Sequence, residues 1–207
     1  MLRRTFQRGD TLIEVLFAFS ILSLVVVGAF AIMNQGTIAS QRALETTLVR
    51  EEIDAQATTL RFLHDAYVAK FQPNISYAST TAAGQWALMT SNLTATSASS
   101  FGTTSTCPTP PPGSFILDAI NAKYISGSGA VLVPSSTFAQ VIYDPTLQTL
   151  QQSQGVWIEA IRSQASADVN LQNTRYIDFH IRACWDSPGQ GPSMTLGTIV
   201  RLYEPQS

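Results

Sequence analysis

The sequence predicts an α+β protein: a long N-terminal helix, membrane-spanning in its first half, packed on a C-terminal antiparallel β-sheet. Three observations predict it. Residues Val15 to Gln41 carry no charged side chain and are almost wholly apolar as far as Met33. Residues 38–70 keep a helix-forming composition with no Gly or Pro. Residues 118–207 contain several alternating apolar–polar runs separated by turn residues. Composition agrees. Only 13% of the 207 residues are charged, against roughly 25% in ordinary soluble domains, and mean hydropathy is +0.11. The net charge of −2 argues against a basic face for nucleic acid.

The run Val15–Met33 reads VLFAFSILSLVVVGAFAIM. As a helix it spans about 28 Å, close to the hydrocarbon thickness of a bilayer. It lacks the polar stripe of a soluble core helix. Arg3, Arg4 and Arg8 precede it, and positive charge on that side keeps the N-terminus in the cytoplasm. A cleaved secretory signal would be shorter and end in small residues, whereas Asn34-Gln35-Gly36 follows here. Glu14 opens the run. A carboxylate at membrane depth is costly unless paired. On the residues alone it can also mark the interfacial end of the helix, where negative charge suits the helix dipole.

Arg3-Arg4, then Arg8-Gly9, then Thr11-Leu12-Ile13-Glu14-Val15-Leu16 and an uncharged span together resemble the prepilin leader of type IV pilins and pseudopilins. The likeness covers about the first 35 residues, and its specificity lies in the order and spacing of its elements. It implies that a prepilin peptidase cuts after Gly9 and that Asp10 becomes the mature N-terminus, the position that is methylated in the family. Loss of Arg3, Arg4 and Arg8 then makes the net charge −5. It implies that Glu14 serves assembly by pairing with the N-terminal amine of a neighbouring subunit, a pairing that a low-dielectric filament core would strengthen. The implied partners are other pilin subunits, the prepilin peptidase, an inner-membrane assembly platform and membrane lipid. The implied location is the inner membrane, single-pass with the N-terminus cytoplasmic, then an extracellular filament. Asp10 stands where the family usually has a large apolar residue, and no Pro occurs between Gly9 and Pro73. An Asp10 carboxylate would compete for the amine, which points to a minor rather than a major pilin.

On this reading residues 1–9 are the leader, 10–36 the transmembrane half of the helix, and 37–72 its exported half, ended by Pro73 and Asn74. A continuous helix of some 60 residues is about 90 Å long. Two apolar rows, Leu44-Leu48-Ala55-Phe62 and Val49-Ile53-Leu60-Leu63-Tyr67, predict a broad buried face. Arg42, Arg50, Glu51, Glu52, Asp54 and Arg61 form the solvated remainder.

Residues 73–117 form a Ser/Thr/Pro-rich connection. Phe71 to Leu117 carries no charge, and 15 of the 31 residues from Ser76 to Thr106 are Ser or Thr. Such composition buries little; within it, Gln85–Met89 reads as a short strand. Asn74-Ile75-Ser76 and Asn92-Leu93-Thr94 match a glycosylation triplet and are assigned no role. Residues 118–207 form the sheet domain, with strands expected at Ala130–Val133, Phe138–Tyr143, Gly155–Arg162, Arg175–Trp185 and Met194–Tyr203. In the Arg175–Trp185 run, Ile177, Phe179, Ile181, Ala183 and Trp185 face the helix, and Tyr176, Asp178, His180, Arg182 and Cys184 face away. Cys107 and Cys184 are the only cysteines and are expected on the exported side, where a bridge persists and is favoured over two buried free thiols. Closing so long a loop contributes about 4 kcal/mol.

Catalytic signatures are missing from the sequence. G-x-S-x-G, a phosphate loop and H-E-x-x-H are all absent, and the lone Gly127-Ser128-Gly129 is weak. His64 reads as a solvated or half-buried helix residue, and two cysteines with two distant histidines have no metal-ligand spacing. The expectation is a structural, minor pilin-like subunit with no catalytic, cofactor or metal residues. Two alternatives remain: a pseudopilin of a type II secretion or DNA-uptake system, and a single-span, membrane-anchored binding domain.

Overall fold

The computed structural model describes residues 10–91, 93, 98, 106–127, 132–133, 135–147, 149–163, 175–189 and 191–205, with side chains from Leu12 onward. Helix α1 is Asp10–Ala69. The chain forms two units, residues up to Ala43 and Leu44–Ser207, and α1 runs through both. In the first unit the helix surface is apolar on every side from Val15 to Met33, with Phe17, Leu24 and Phe30 exposed. This is the one described helix long and apolar enough to cross a membrane. Its hydroxyls are satisfied internally: Ser20, Ser23 and Thr37 each donate to the carbonyl four residues back, at 2.8, 2.7 and 3.0 Å. That local pairing removes the cost of an unbonded hydroxyl in hydrocarbon.

In the second unit one stripe of α1 is buried: Val49, Ile53, Gln56, Ala57, Leu60 and Leu63. Spacings of three and four keep these side chains on one face. The stripe packs on a five-stranded antiparallel sheet of order β2-β1-β6-β7-β8. Its strands are β1 Phe115–Asp118, β2 Lys123–Ser126, β6 Val156–Arg162, β7 Tyr176–Trp185 and β8 Met194–Tyr203. The neighbouring β6, β7 and β8 and the alternation along β7 agree with the sequence reading. The broad buried face does not. Leu44 is 61% and Phe62 55% exposed, because the sheet covers only one stripe and the Leu44 row turns away from it.

Three further differences have local causes. Gln85–Met89 is not a strand but lies in helix α2, Ala82–Ser91. Thr81 caps it, its Oγ1 accepting from Gly84 N–H at 3.1 Å. Trp86 and Met89, three apart on one face, join the core, so the uncharged connection buries more than its composition suggests. Gly84 permits the entry, since a Cβ there would lie 1.9 Å from the Ala78 carbonyl oxygen. Second, β1 and β2 supply strand pairing before and just after residue 118, where none was expected. Third, a separate sheet of order β3-β5-β4 is present, with β3 Leu132–Val133, β4 Gln140–Asp144 and β5 Thr149–Gln154. Its β3–β5 pairing is parallel. It covers part of the other face of the main sheet, through Leu132 and Leu150 against Ile116, Trp157 and Cys184. One end of the face turned away from the helix is therefore buried. Of the expected strand Ala130–Val133, residues 130 and 131 lie outside the described residues, as do Asn92 and Ser128-Gly129.

Cys107 and Cys184 are disulfide-bonded with Cα atoms 5.6 Å apart, tying the segment before β1 to the end of β7.

The sheet and helix are joined most directly by a side chain. β1 pairs with β6 at Phe115↔Ile158 alone. The Leu117 backbone bonds Gln56 instead: Leu117 N–H donates to Gln56 Oε1 at 2.9 Å, and Gln56 Nε2 donates to Leu117 O at 2.8 Å. Both residues are fully buried. Gln56→Ala strands two buried backbone groups, a loss of about 2–4 kcal/mol. Thermal unfolding of the detergent-solubilised protein checks this; an unchanged midpoint contradicts it.

Candidate functional site

Two clusters can carry function, one in each unit. In the first, Gly9 lies outside the described residues, as does the side chain of Asp10. Glu14 lies on the exposed surface of α1, four residues beyond the first residue of the helix. It is the only charged side chain described between Leu12 and Gln41. Among the described residues it has neither a hydrogen bond nor an ion pair. Its neighbours Leu12, Ile13, Val15, Leu16 and Phe17 are exposed and apolar. A bare carboxylate at membrane depth is costly unless a partner reaches it or it takes up a proton.

In the second unit, the sheet face away from α1 carries a polar band. Trp157 Nε1 donates to Glu159 Oε1 at 2.8 Å, and Arg182 Nε lies 3.3 Å from the same oxygen. Glu159 and His180 are cross-strand partners. Asp178 receives Arg201 in a two-pronged pair at 2.7 and 2.7 Å, and the guanidinium lies 4.0 Å from the Tyr176 ring centre. The Arg201 guanidinium is held more firmly protonated by Asp178. Each charge is matched by a neighbour, so the band braces three strands. Among the described residues no three His, Cys, Asp or Glu side chains gather as a metal site.

Helix–sheet connections missed in the sequence lie along the second half of α1. His64 Nε2 donates to the Tyr203 carbonyl at 2.8 Å and the ring meets Trp86 edge-on at 5.0 Å. Trp185 Nε1 donates to Glu45 Oε2 at 3.2 Å. No sequence signal marks these, because a polar residue on a helix reads as solvated until its strand partner is known.

Residues 4–30 match the family model described as the Prokaryotic N-terminal methylation motif. No curated protein and no solved structure matches the chain. The matched segment contains Arg4, Arg8, Gly9 and Glu14 and ends inside the apolar span. The chain thus carries the leader signature of type IV pilins and pseudopilins, ahead of a long apolar helix and an antiparallel sheet. The motif supports a type IV pilin-like or pseudopilin precursor and suggests a structural subunit. The signature implies processing by a prepilin peptidase and assembly with other pilins, and it fits a single-pass inner-membrane anchor.

The polar band has a pH signature. Burial pulls the His180 imidazole below its ordinary value; Arg182 adds to this, while Asp178 and Glu159 oppose it. The unfolded imidazole titrates near about 6.5. Above that both states are neutral and the stability contribution is fully present. It is lost as pH falls through about 6.5 toward the lower folded value, because the unfolded chain binds the proton first. Denaturant midpoints at about pH 7.5 and about pH 5 test this. His180→Gln shows a smaller acid loss than wild type, and an equal loss contradicts it.

Proposed function

We propose that this protein is a minor pilin-like subunit of a type IV pilus or related filament machine. It is inserted with its N-terminus in the cytoplasm, cut after Gly9, and drawn into the filament through its apolar helix. The observation that carries the reading is the leader motif placed directly before a span that opens on Glu14 and carries no further charge from Val15 to Gln41. After cleavage the Asp10 amine is a cation at the right depth. The amine of one subunit and Glu14 of its neighbour offset each other's desolvation in a low-dielectric core. A plain anchor has no use for the carboxylate. The Asp10 carboxylate beside that amine weakens the pairing and suits a subunit used in few copies. The unit from Leu44 onward, braced by its disulfide, is the exported body the anchor presents. A pseudopilin role in secretion or DNA uptake uses the same parts, and the paired charges of its polar band give no basic stripe for DNA.

Glu14→Ala leaves membrane insertion intact, because it makes the span more apolar, and abolishes incorporation into sheared filaments. Immunoblots of membrane and filament fractions measure both. Normal incorporation of the variant contradicts the pairing.

A further inference from the structure

The two edges of the five-stranded sheet are finished differently. β2 is four residues long, and helix α2 closes its edge: Gln85 Oε1 accepts the outward Tyr124 N–H at 2.8 Å. β8 is ten residues long and pairs with β7 in one unbroken register from Met194 to Tyr203. On its outer side alternate residues turn N–H and C=O away from β7. Among the described residues only one of these groups is bonded beyond the strand, the Tyr203 carbonyl with His64. β8 also lacks the usual edge protection. It has no Pro and no bulge, and its single charge, Arg201, is tied back to Asp178. Ile199 is 60% exposed. Beside it lies a notch of about 230 Å³ lined by His180, Ile181, Arg182, Gly197, Thr198 and Ile199. The notch opens because Gly197, opposite Arg182, has no side chain to fill it.

We infer that the outer edge of β8 is an assembly edge that takes up an extended, uncharged strand of a neighbouring pilin-like subunit. This rests on the filament reading above. Backbone pairing supplies the adhesion and the Gly197 notch admits an apolar side chain. The strand is uncharged because the nearby charges are already matched, Arg182 by Glu159 and Arg201 by Asp178. A second copy paired symmetrically through β8 is disfavoured on direction. Antiparallel β8–β8 pairing about a two-fold axis reverses the packed half of α1 in one copy, whereas chains inserted in one membrane emerge from the same side. Parallel β8–β8 pairing about a two-fold axis puts facing side chains on opposite faces, which strand pairing does not allow.

The test uses full-length protein with Ile199→Lys, a charge at the open edge, and Leu147→Lys, a charge at an equally exposed site between β4 and β5. Circular dichroism establishes that both variants fold. Filament incorporation falls by roughly tenfold or more for Ile199→Lys and is unchanged for Leu147→Lys. Amide exchange across β8 is slower in wild-type filaments than in the detergent-solubilised subunit. Normal incorporation of Ile199→Lys, or unchanged β8 exchange, overturns the inference while the filament reading stands. β8 protection already present in concentrated detergent solution assigns the edge to a second copy and also overturns it. Absence of wild-type protein from filaments overturns both.

Discussion

One helix must satisfy two solvents. Everything else in the chain follows from how α1 meets that demand. From Val15 to Met33 every face is exposed and nearly all apolar, which suits a bilayer, and the Ser20 and Ser23 hydroxyls are turned onto the helix's own carbonyls. From Leu44 the same helix presents one apolar stripe, and a sheet is built to cover it. A helix buried along one stripe gains its stability from tertiary packing rather than propensity. The five strands and α2 therefore stabilise the second half of the helix as much as the helix organises them.

Polar side chains then make the joints that apolar packing cannot position. Gln56 replaces a strand partner where β1 leaves β6. Gln85 replaces one where β2 has no outer neighbour. His64 and Glu45 connect α1 to the ends of β8 and β7. A side-chain amide carries a donor and an acceptor with the spacing of a peptide group, so each glutamine can complete a strand edge that would otherwise hold unbonded groups. Such bonds contribute about 1 kcal/mol net, but losing one when buried costs more. They fix which strand lies over which part of the helix.

The sequence and the structure agree where a signal is long and periodic. The membrane-length run, the continuation of α1 to Ala69, and β6 to β8 were legible because length and alternation leave few alternatives. Other features depend on partners distant in sequence. Gln85–Met89 is too short for period to separate strand from helix, and a cap at Thr81 with a glycine fitted at Gly84 decided for helix. The rows led by Leu44 and Val49 have the same helical spacing, so nothing local says which one the sheet covers. The β3–β5 pair joins Leu132 to Ser153 and Val133 to Gln154 in parallel, a contact with no local signature. At the candidate site, Glu14 stood out because charge in an apolar run is costly. Gln56, with ordinary neighbours, did not.

The central claim is that the chain is cut as a prepilin, releasing Asp10 as the amine that Glu14 of a neighbour must meet. Intact mass and N-terminal sequencing of the protein recovered from membranes test it most directly. A chain beginning at Asp10, shorter by the nine residues Met1 to Gly9, is the predicted result. An uncut chain, or one cut beyond the apolar run, would contradict it and leave a single-span anchored domain in its place.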